Sequence, residues 1–209
     1  PALIAGAALL TDYILTVAVS VSAGVAQITS AFPGLLPFRV GLAVALVLFI
    51  MLVNLRGVRE SGTAFSVPSY FFLGMMFLTV GAGLYQYLTG SLGTVVNPPP
   101  METMALRAIT PFLILRAFSS GTAALTGVEA ISNGITAFRE PRSRNAGITL
   151  LWMSGILGTL FLAIGFLTVS IGAVPSEAET VISQLARTVF EGQRVLYLGV
   201  IAATTLILI

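Results

Sequence analysis

Residues 118–138, FSSGTAALTGVEAISNGITAF, decide the fold of this chain. Three glycines, Gly121, Gly127 and Gly134, interrupt this largely apolar stretch, together with several hydroxyl and amide side chains. A continuous helix is disfavoured here, because each glycine costs about 1 kcal/mol relative to alanine in a helix interior. We therefore expect a helix that breaks between Gly121 and Gly127. Such a break frees backbone groups in the middle of the stretch.

The composition of the whole chain places this broken helix in a membrane. Of the 209 residues, 56% are hydrophobic and 9% are charged, and the mean hydropathy is +1.01. A soluble domain is about one quarter charged, so the solvent of this chain must be lipid. The sequence has no Cys, His or Lys, which excludes disulfides, Cys or His metal sites, Ser-His-Asp catalysis and Schiff-base chemistry. We therefore predict a protein that is not an enzyme, needs no cofactor or metal, and binds no nucleic acid.

Hydrophobic segments of spanning length follow one another along the chain. We predict an all-α polytopic membrane protein with five complete transmembrane helices and part of a sixth, at residues 2–29, 36–54, 64–88, 108–137 (broken), 147–173 and 195–209 (truncated). Helices are required because lipid cannot satisfy backbone N–H and C=O groups. The last thirteen residues would cross only about 20 Å of a bilayer core of about 30 Å. Because the chain also opens with an apolar run, we expect a piece of a larger protein.

The arginines predict the orientation of these helices. Loops 55–62 and 138–147 carry five Arg in short stretches, whereas the longer opposite loops mix four Arg with four Glu. The dense loops are therefore predicted to be cytoplasmic. Loop 174–194, on the predicted outer side, contains an amphipathic helix at 176–190 that a capping box of Ser176 and Glu179 would begin. Whether that helix is an interfacial anchor or a lid over a pathway stays open, because amphipathicity alone does not separate the two.

Asp12 is an ionisable residue inside the first predicted span. It lies ten residues after Ala2, about 15 Å along the helix, and Thr16 and Ser20 follow at i+4 and i+8. The three side chains therefore share one helix face, with Gln27 close to the same stripe. A buried carboxylate is costly, which favours a face that lines an ion or substrate pathway. In the alternatives, the two hydroxyls bond to carbonyls of their own helix, or Asp12 sits at the membrane interface.

Glu129 is the acidic residue of the broken segment, three residues after Thr126. We interpret it as a cation ligand or proton carrier beside the helix break, as in transporters built on discontinuous helices. The alternative is close helix–helix packing by small residues, which would not explain the carboxylate. Arg116 lies in the outer half of the same segment. It either pairs with a carboxylate and closes an outer gate or reaches the outer headgroups, and we favour the second, structural interpretation.

Three stretches resemble one known family. They are TDYILTVAVSVSAGVAQITSAFP at 11–33, LVNLRGVRESG at 52–62, and FSSGTAALTGVEAISNGITAFREPRSRNAG at 118–147. These are similar to the amino acid–polyamine–organocation (APC) superfamily, in particular to its KimA-type branch of bacterial potassium–proton symporters related to the KUP potassium importers. Looser relatives are amino acid permeases. The resemblance implies a LeuT-type fold of two inverted five-helix repeats, in which this chain supplies helices 3 to 7 and part of helix 8, while helices 1 and 2 are missing.

The resemblance also implies where ions bind. In the potassium-importing branch, an Asp, a Thr and a Ser on helix 3 and a Thr and a Glu on helix 6 contribute to the ion sites, which correspond here to Asp12, Thr16, Ser20, Thr126 and Glu129. K⁺ and H⁺ would be the transported species, with Glu129 or Asp12 as the proton-coupling group. We expect a multi-pass protein of the plasma membrane whose partners are the bilayer, a small cation or amino acid and, as one option, a second copy of itself. Proton-coupled potassium import is favoured over amino acid–proton symport, because the carboxylates leave less room for an anionic substrate group.

Overall fold

The computed structural model describes residues 2–55, 61–100, 109–121, 131 and 134–209. Within these ranges the regular structure is helical and no β-strand occurs. The predicted all-α class is therefore confirmed. The chain divides into two compact units, one made of residues 1–102 and 166–209 and the other of residues 103–165. We describe each unit by itself.

Long apolar helices build the first unit. Helix α1 (Ala2–Ala31) is followed by a 3-10 helix (Pro33–Phe38), α2 (Arg39–Leu55) and α3 (Ser61–Leu88). The chain returns through the end of α5 (Arg142–Ser170) and continues with α6 (Val181–Val189) and α7 (Arg194–Leu208). In the described part of the chain, four helical segments are long and apolar enough to cross a bilayer: Gly6–Ala31, Pro33–Leu52, Ser66–Leu88 and Arg142–Ser170.

Helix α7 packs between α1 and α3, and glycines make both contacts close. A Cβ atom at Gly24 of α1 would lie 2.9 Å from Cγ1 of Ile209, and one at Gly199 of α7 would lie 2.9 Å from Cε of Met75 on α3. Val200, Ile201, Ala203 and Thr204 of α7 are buried between these neighbours. The core of the unit therefore lies along α7, against the C-terminal part of α1.

Helix α5 ends in a glycine cap. Gly172 has a φ of 71°, a left-handed conformation that glycine adopts without steric cost. Its N–H donates to the carbonyl of Val169 at 3.1 Å, and the N–H of Ala173 donates to the carbonyl of Thr168 at 2.9 Å. This pair of bonds is the Schellman pattern. The helix therefore stops at Ser170, three residues before the predicted end at 173.

The predicted helix at 176–190 begins later than expected. Helix α6 starts at Val181, and its N-cap is Thr180, whose side chain accepts a hydrogen bond from the N–H of Ser183 at 3.2 Å. The predicted capping box of Ser176 and Glu179 is therefore wrong. The hydroxyl of Ser176 accepts from the N–H of Ala178 at 3.2 Å in a local turn. The carboxylate of Glu179 instead accepts hydrogen bonds from the side chains of Ser183 and Arg187 on α6.

The second unit contains α4 (Pro111–Gly121), a short 3-10 helix (Ile135–Ala137) and most of α5. The hydroxyl of Thr110 accepts from the N–H of Leu113 at 3.2 Å at the start of α4. This helix ends at Gly121, the first glycine of the predicted break. Residues 122–130, 132 and 133 lie outside the described residues. The break itself therefore stays a prediction.

Candidate functional site

The predicted ion-lining residues of the first span lie on successive turns of α1. Asp12 and Thr16 are exposed and Ser20 is half-buried, and residues four apart are separated by about 6 Å along a helix axis. The surrounding faces of α1 carry exposed apolar side chains, including Ile14 and Val19. We call Asp12, Thr16 and Ser20 the α1 stripe, a row of polar side chains that lies among exposed apolar ones.

The hydroxyls of the α1 stripe do not bond to their own helix. Thr11 makes such a bond, from its Oγ1 to the carbonyl of Ala7 at 2.9 Å. Among the described residues, Asp12, Thr16 and Ser20 form no hydrogen bond or ion pair. The alternative in which helix carbonyls satisfy Thr16 and Ser20 therefore does not hold in this structure.

The other predicted half of the site is not described. Thr126, Gly127 and Glu129 lie outside the described residues, and Gly121 is the last residue of α4. Contact between Glu129 and the α1 stripe therefore stays a prediction. Arg116 is exposed on α4 and, within the described ranges, has no carboxylate partner. Its interpretation as a structural arginine also stays a prediction.

A polar cluster that sequence reasoning missed joins the end of α1 to the start of α6. Oγ1 of Thr180 donates to Oε1 of Gln27 at 3.0 Å, and the N–H of Thr180 donates to Oγ of Ser30 at 2.9 Å. The side chain of Ser30 in turn donates to the carbonyl of Ala26 at 2.7 Å. Gln27 and Ser30 are 6% and 9% exposed. We call Gln27, Ser30 and Thr180 the clasp, because their part-buried hydrogen bonds hold together two segments that are distant in the sequence.

An ion pair next to Thr180 supports the clasp. Arg187 donates to both carboxylate oxygens of Glu179, from Nε to Oε1 at 3.2 Å and from Nη2 to Oε2 at 3.1 Å. This two-point geometry is the strongest arrangement of guanidinium and carboxylate. Ser183 also donates to Oε1 of Glu179 at 2.9 Å, and Nη1 of Arg187 donates to the carbonyl of Val96 at 2.8 Å. We call Glu179, Ser183 and Arg187 the brace.

Helix α6 is also tied to its other neighbours. The hydroxyls of Ser183 and Tyr197 lie 3.0 Å apart, which joins α6 to α7. Nε2 of Gln86 on α3 donates to the carbonyl of Val189 at 2.9 Å. Leu185 and Ala186 are 0% exposed. The apolar face of α6 therefore packs against protein, which disfavours the alternative of an interfacial anchor lying on lipid.

Comparison with known proteins agrees with the resemblance. The sequence profile described as amino acid permease matches residues 1–209. The chain belongs to the amino acid permease family. Among curated proteins, the potassium transporter KimA of Bacillus subtilis (strain 168) is 47% identical over 209 residues, which cover 100% of this chain and 34% of that protein. The chain thus spans about a third of the length of the curated relative it matches.

Family membership confirms several predictions made from the residues. The chain is an all-α, multi-pass segment of a plasma-membrane protein that belongs to the permease family, and the resemblance to the APC superfamily is confirmed. The matched family and relative are transporters, a class of proteins that are not enzymes in general. Membership does not assign the individual residues of the α1 stripe or of the segment from 122 to 130.

Proposed function

We propose that the protein to which this chain belongs imports K⁺ together with H⁺. The observation that carries this proposal is the α1 stripe, in which Asp12, Thr16 and Ser20 place a carboxylate and two hydroxyls on one face of an apolar membrane helix. Oxygen atoms replace the hydration shell of K⁺ in protein sites. The identity of 47% to a protein named potassium transporter supports the choice of ion.

In this proposal the broken helix completes the site. Thr126 supplies a further hydroxyl, and the backbone freed between Gly121 and Gly127 supplies carbonyl oxygens. Glu129 contributes the second carboxylate, so one acidic group faces K⁺ while the other, Glu129 or Asp12, carries the proton. A site with one protonated and one charged carboxyl group holds K⁺ without excess negative charge in lipid, where unbalanced charge is costly. K⁺ and H⁺ are substrates here, and no resident cofactor is needed.

The experiment is K⁺ uptake into proteoliposomes that contain the full-length protein. An imposed pH gradient is expected to drive uptake by the wild type and to drive none by Glu129→Gln, because the amide cannot carry a proton. Glu140→Gln is the matched control. Glu140 is an exposed carboxylate paired with Arg142, in a loop predicted to be cytoplasmic, and should be dispensable. Wild-type uptake by Glu129→Gln would contradict the proposed coupling.

Amino acid–proton symport is the second candidate, and the family description favours it. In that case the helix break would offer N–H and C=O groups to the ends of a zwitterion. Thermal unfolding of the full-length protein with K⁺, Rb⁺ and a set of amino acids separates the two candidates, since a bound substrate raises the melting temperature. We expect stabilisation by K⁺ and Rb⁺. Stabilisation by an amino acid alone would favour the second candidate.

A further inference from the structure

Two residues of the clasp, Gln27 and Ser30, lie on the same helix as the α1 stripe. We propose that α6 keeps its position against α1, α3 and α7 throughout transport, and we call such a fixed element a strut. The bond from its N-cap, Thr180, to Gln27 then sets the rotation of α1 about its axis, and hence the direction in which the α1 stripe faces. Gln27 and Thr180 are then positioning residues of the cation site. The inference rests on the proposed function, which supplies the ion.

Gln27 is well placed to control the stripe. It follows Ser20 by seven residues, which is two helical turns, so it continues the face that carries Asp12 and Thr16. Side chains on one face of a helix turn together when the helix rotates about its axis. The bond of 3.0 Å from Thr180 to Gln27 and the bond of 2.9 Å from Thr180 to Ser30 hold two neighbouring positions of α1 at once. Two attachment points on α1 hold its rotation about the helix axis, whereas a single bond would leave the helix free to turn.

Helix α6 supplies a fixed reference because it is itself immobilised. Its face of Leu185 and Ala186 is fully buried, and Gln184, also 0% exposed, bonds to both backbone groups of Val174 at 3.0 and 2.7 Å. Bonds to Tyr197 on α7 and from Gln86 on α3 hold its two ends. A lid that left the protein in every cycle would expose this apolar face and break these bonds. The contacts therefore favour a strut over the lid considered from the sequence.

The brace connects Thr180, the residue of the clasp that bonds to α1, firmly to the rest of α6. Glu179 directly precedes Thr180, and its carboxylate is held by Arg187 and Ser183 from within α6. The N-cap residue is thereby fixed from both sides, through the brace and through its own bond to the N–H of Ser183. A displacement of Thr180 relative to α6 would have to break charged hydrogen bonds, which are about twice as strong as neutral ones.

The first test is Rb⁺ uptake by Gln27→Leu in the full-length protein. Leucine fills the buried site but cannot accept the bond from Thr180. The apparent KM for Rb⁺ should rise about three- to tenfold, the range that one hydrogen bond represents, because the competent rotation is populated less often. The maximal rate should be kept. Thr180→Val should behave like Gln27→Leu, whereas Thr180→Ser, which keeps the hydroxyl, should restore the KM.

Thr29→Val is the matched control. Thr29 is 3% exposed in the same part of α1, and its hydroxyl bonds to the carbonyl of Ala26 in its own helix at 3.2 Å. The substitution removes a buried hydroxyl two residues from Gln27 whose hydrogen bond stays within α1, so the KM should not change. If Gln27→Leu keeps the KM of the wild type, the inference is overturned. The same holds if the variant only lowers the maximal rate because less protein is folded, with the KM unchanged, since Gln27 would then have a structural role alone. No Rb⁺ or K⁺ uptake by the wild type would instead overturn the proposed function.

The second test asks whether α6 stays on α1 during transport. The hydroxyl oxygens of Ser30 and Thr180 lie 3.5 Å apart, so cysteines at the two positions are close enough for a disulfide after a small shift. In the full-length protein with Ser30→Cys and Thr180→Cys, oxidation should form the cross-link without lowering the maximal rate below that of the reduced form. Loss of uptake on oxidation, with recovery on reduction, would show a moving lid and overturn the strut. Failure to cross-link would contradict the clasp.

Discussion

Asp12 and Gln27 show what a single residue does and does not reveal. A carboxylate inside an apolar run is visible in the sequence because its cost in lipid demands a function, and the structure places Asp12 beside Thr16 on an exposed face of α1. Gln27 carries no such signal. Its partner Thr180 lies 153 residues away, and an uncharged amide and a threonine form no local motif. The clasp was therefore beyond reach of sequence reasoning, although Gln27 itself lay close to the predicted stripe.

The brace makes a prediction at the scale of one side chain. Arg187→Gln leaves the carboxylate of Glu179, a side chain only 16% exposed, without its cation. Partly buried charges that lose a partner destabilise the fold, here by about 1–2 kcal/mol because Arg187 itself is 37% exposed. Thermal unfolding of the full-length protein measures the loss.

Arg39→Gln is the comparison for that measurement. The pair of Arg39 and Glu177 joins the same two residue types through a single contact of 3.0 Å, and the two side chains are 52% and 72% exposed. Exposed pairs contribute about 0–1 kcal/mol. Equal losses for Arg187→Gln and Arg39→Gln would show that neither burial nor two-point geometry makes the pair of Arg187 and Glu179 stronger than the exposed pair.

For α6, the sequence predicts an amphipathic helix but places its first residue too early in the chain. The amphipathic pattern of 176–190 correctly indicated a helix with one apolar face. The sequence predicts a start at Ser176, because a serine followed three residues later by Glu179 fits a capping box. Thr180 can cap as well, and in the folded protein it also bonds to Gln27 and Ser30 on α1. Long-range partners decided between two local candidates, which explains why the sequence alone chose the wrong one.

Helix packing makes a prediction at Gly83 of α3. A Cβ atom there would lie 2.8 Å from Cδ1 of Leu167, a residue 0% exposed, and 3.3 Å from Cγ2 of Val189 on α6. Gly83→Ala should destabilise the full-length protein by about 1–3 kcal/mol, the usual cost of overpacking. Gly81→Ala is the control, since nothing lies within 4 Å of its Cβ position, and alanine there should be neutral or slightly stabilising. Similar melting temperatures for the two variants would contradict the close contact.

For the whole molecule, the membrane class followed from composition because hydropathy is a sum over many residues and tolerates local error. Helix α3 begins three residues before the predicted span and ends at the predicted residue, Leu88. Helix α5 begins five residues before its predicted span and ends three residues before the predicted end, where the cap at Gly172 stops it. The candidate site is different, because the proposal draws its residues from segments as far apart in the sequence as Asp12 and Glu129. Whether such distant residues meet is a tertiary relation that no single helix encodes, and Thr126, Gly127 and Glu129 lie outside the described residues.

The location of the transported ion tests the account most directly. We propose crystals of the full-length protein in Rb⁺, in which the anomalous signal of rubidium marks the cation. A rubidium peak is expected beside Asp12, with the hydroxyl of Thr16 and the carboxylate of Glu129 facing the same cavity. A peak elsewhere in the protein, or a carboxylate of Asp12 that faces lipid with no cation near it, would contradict the account.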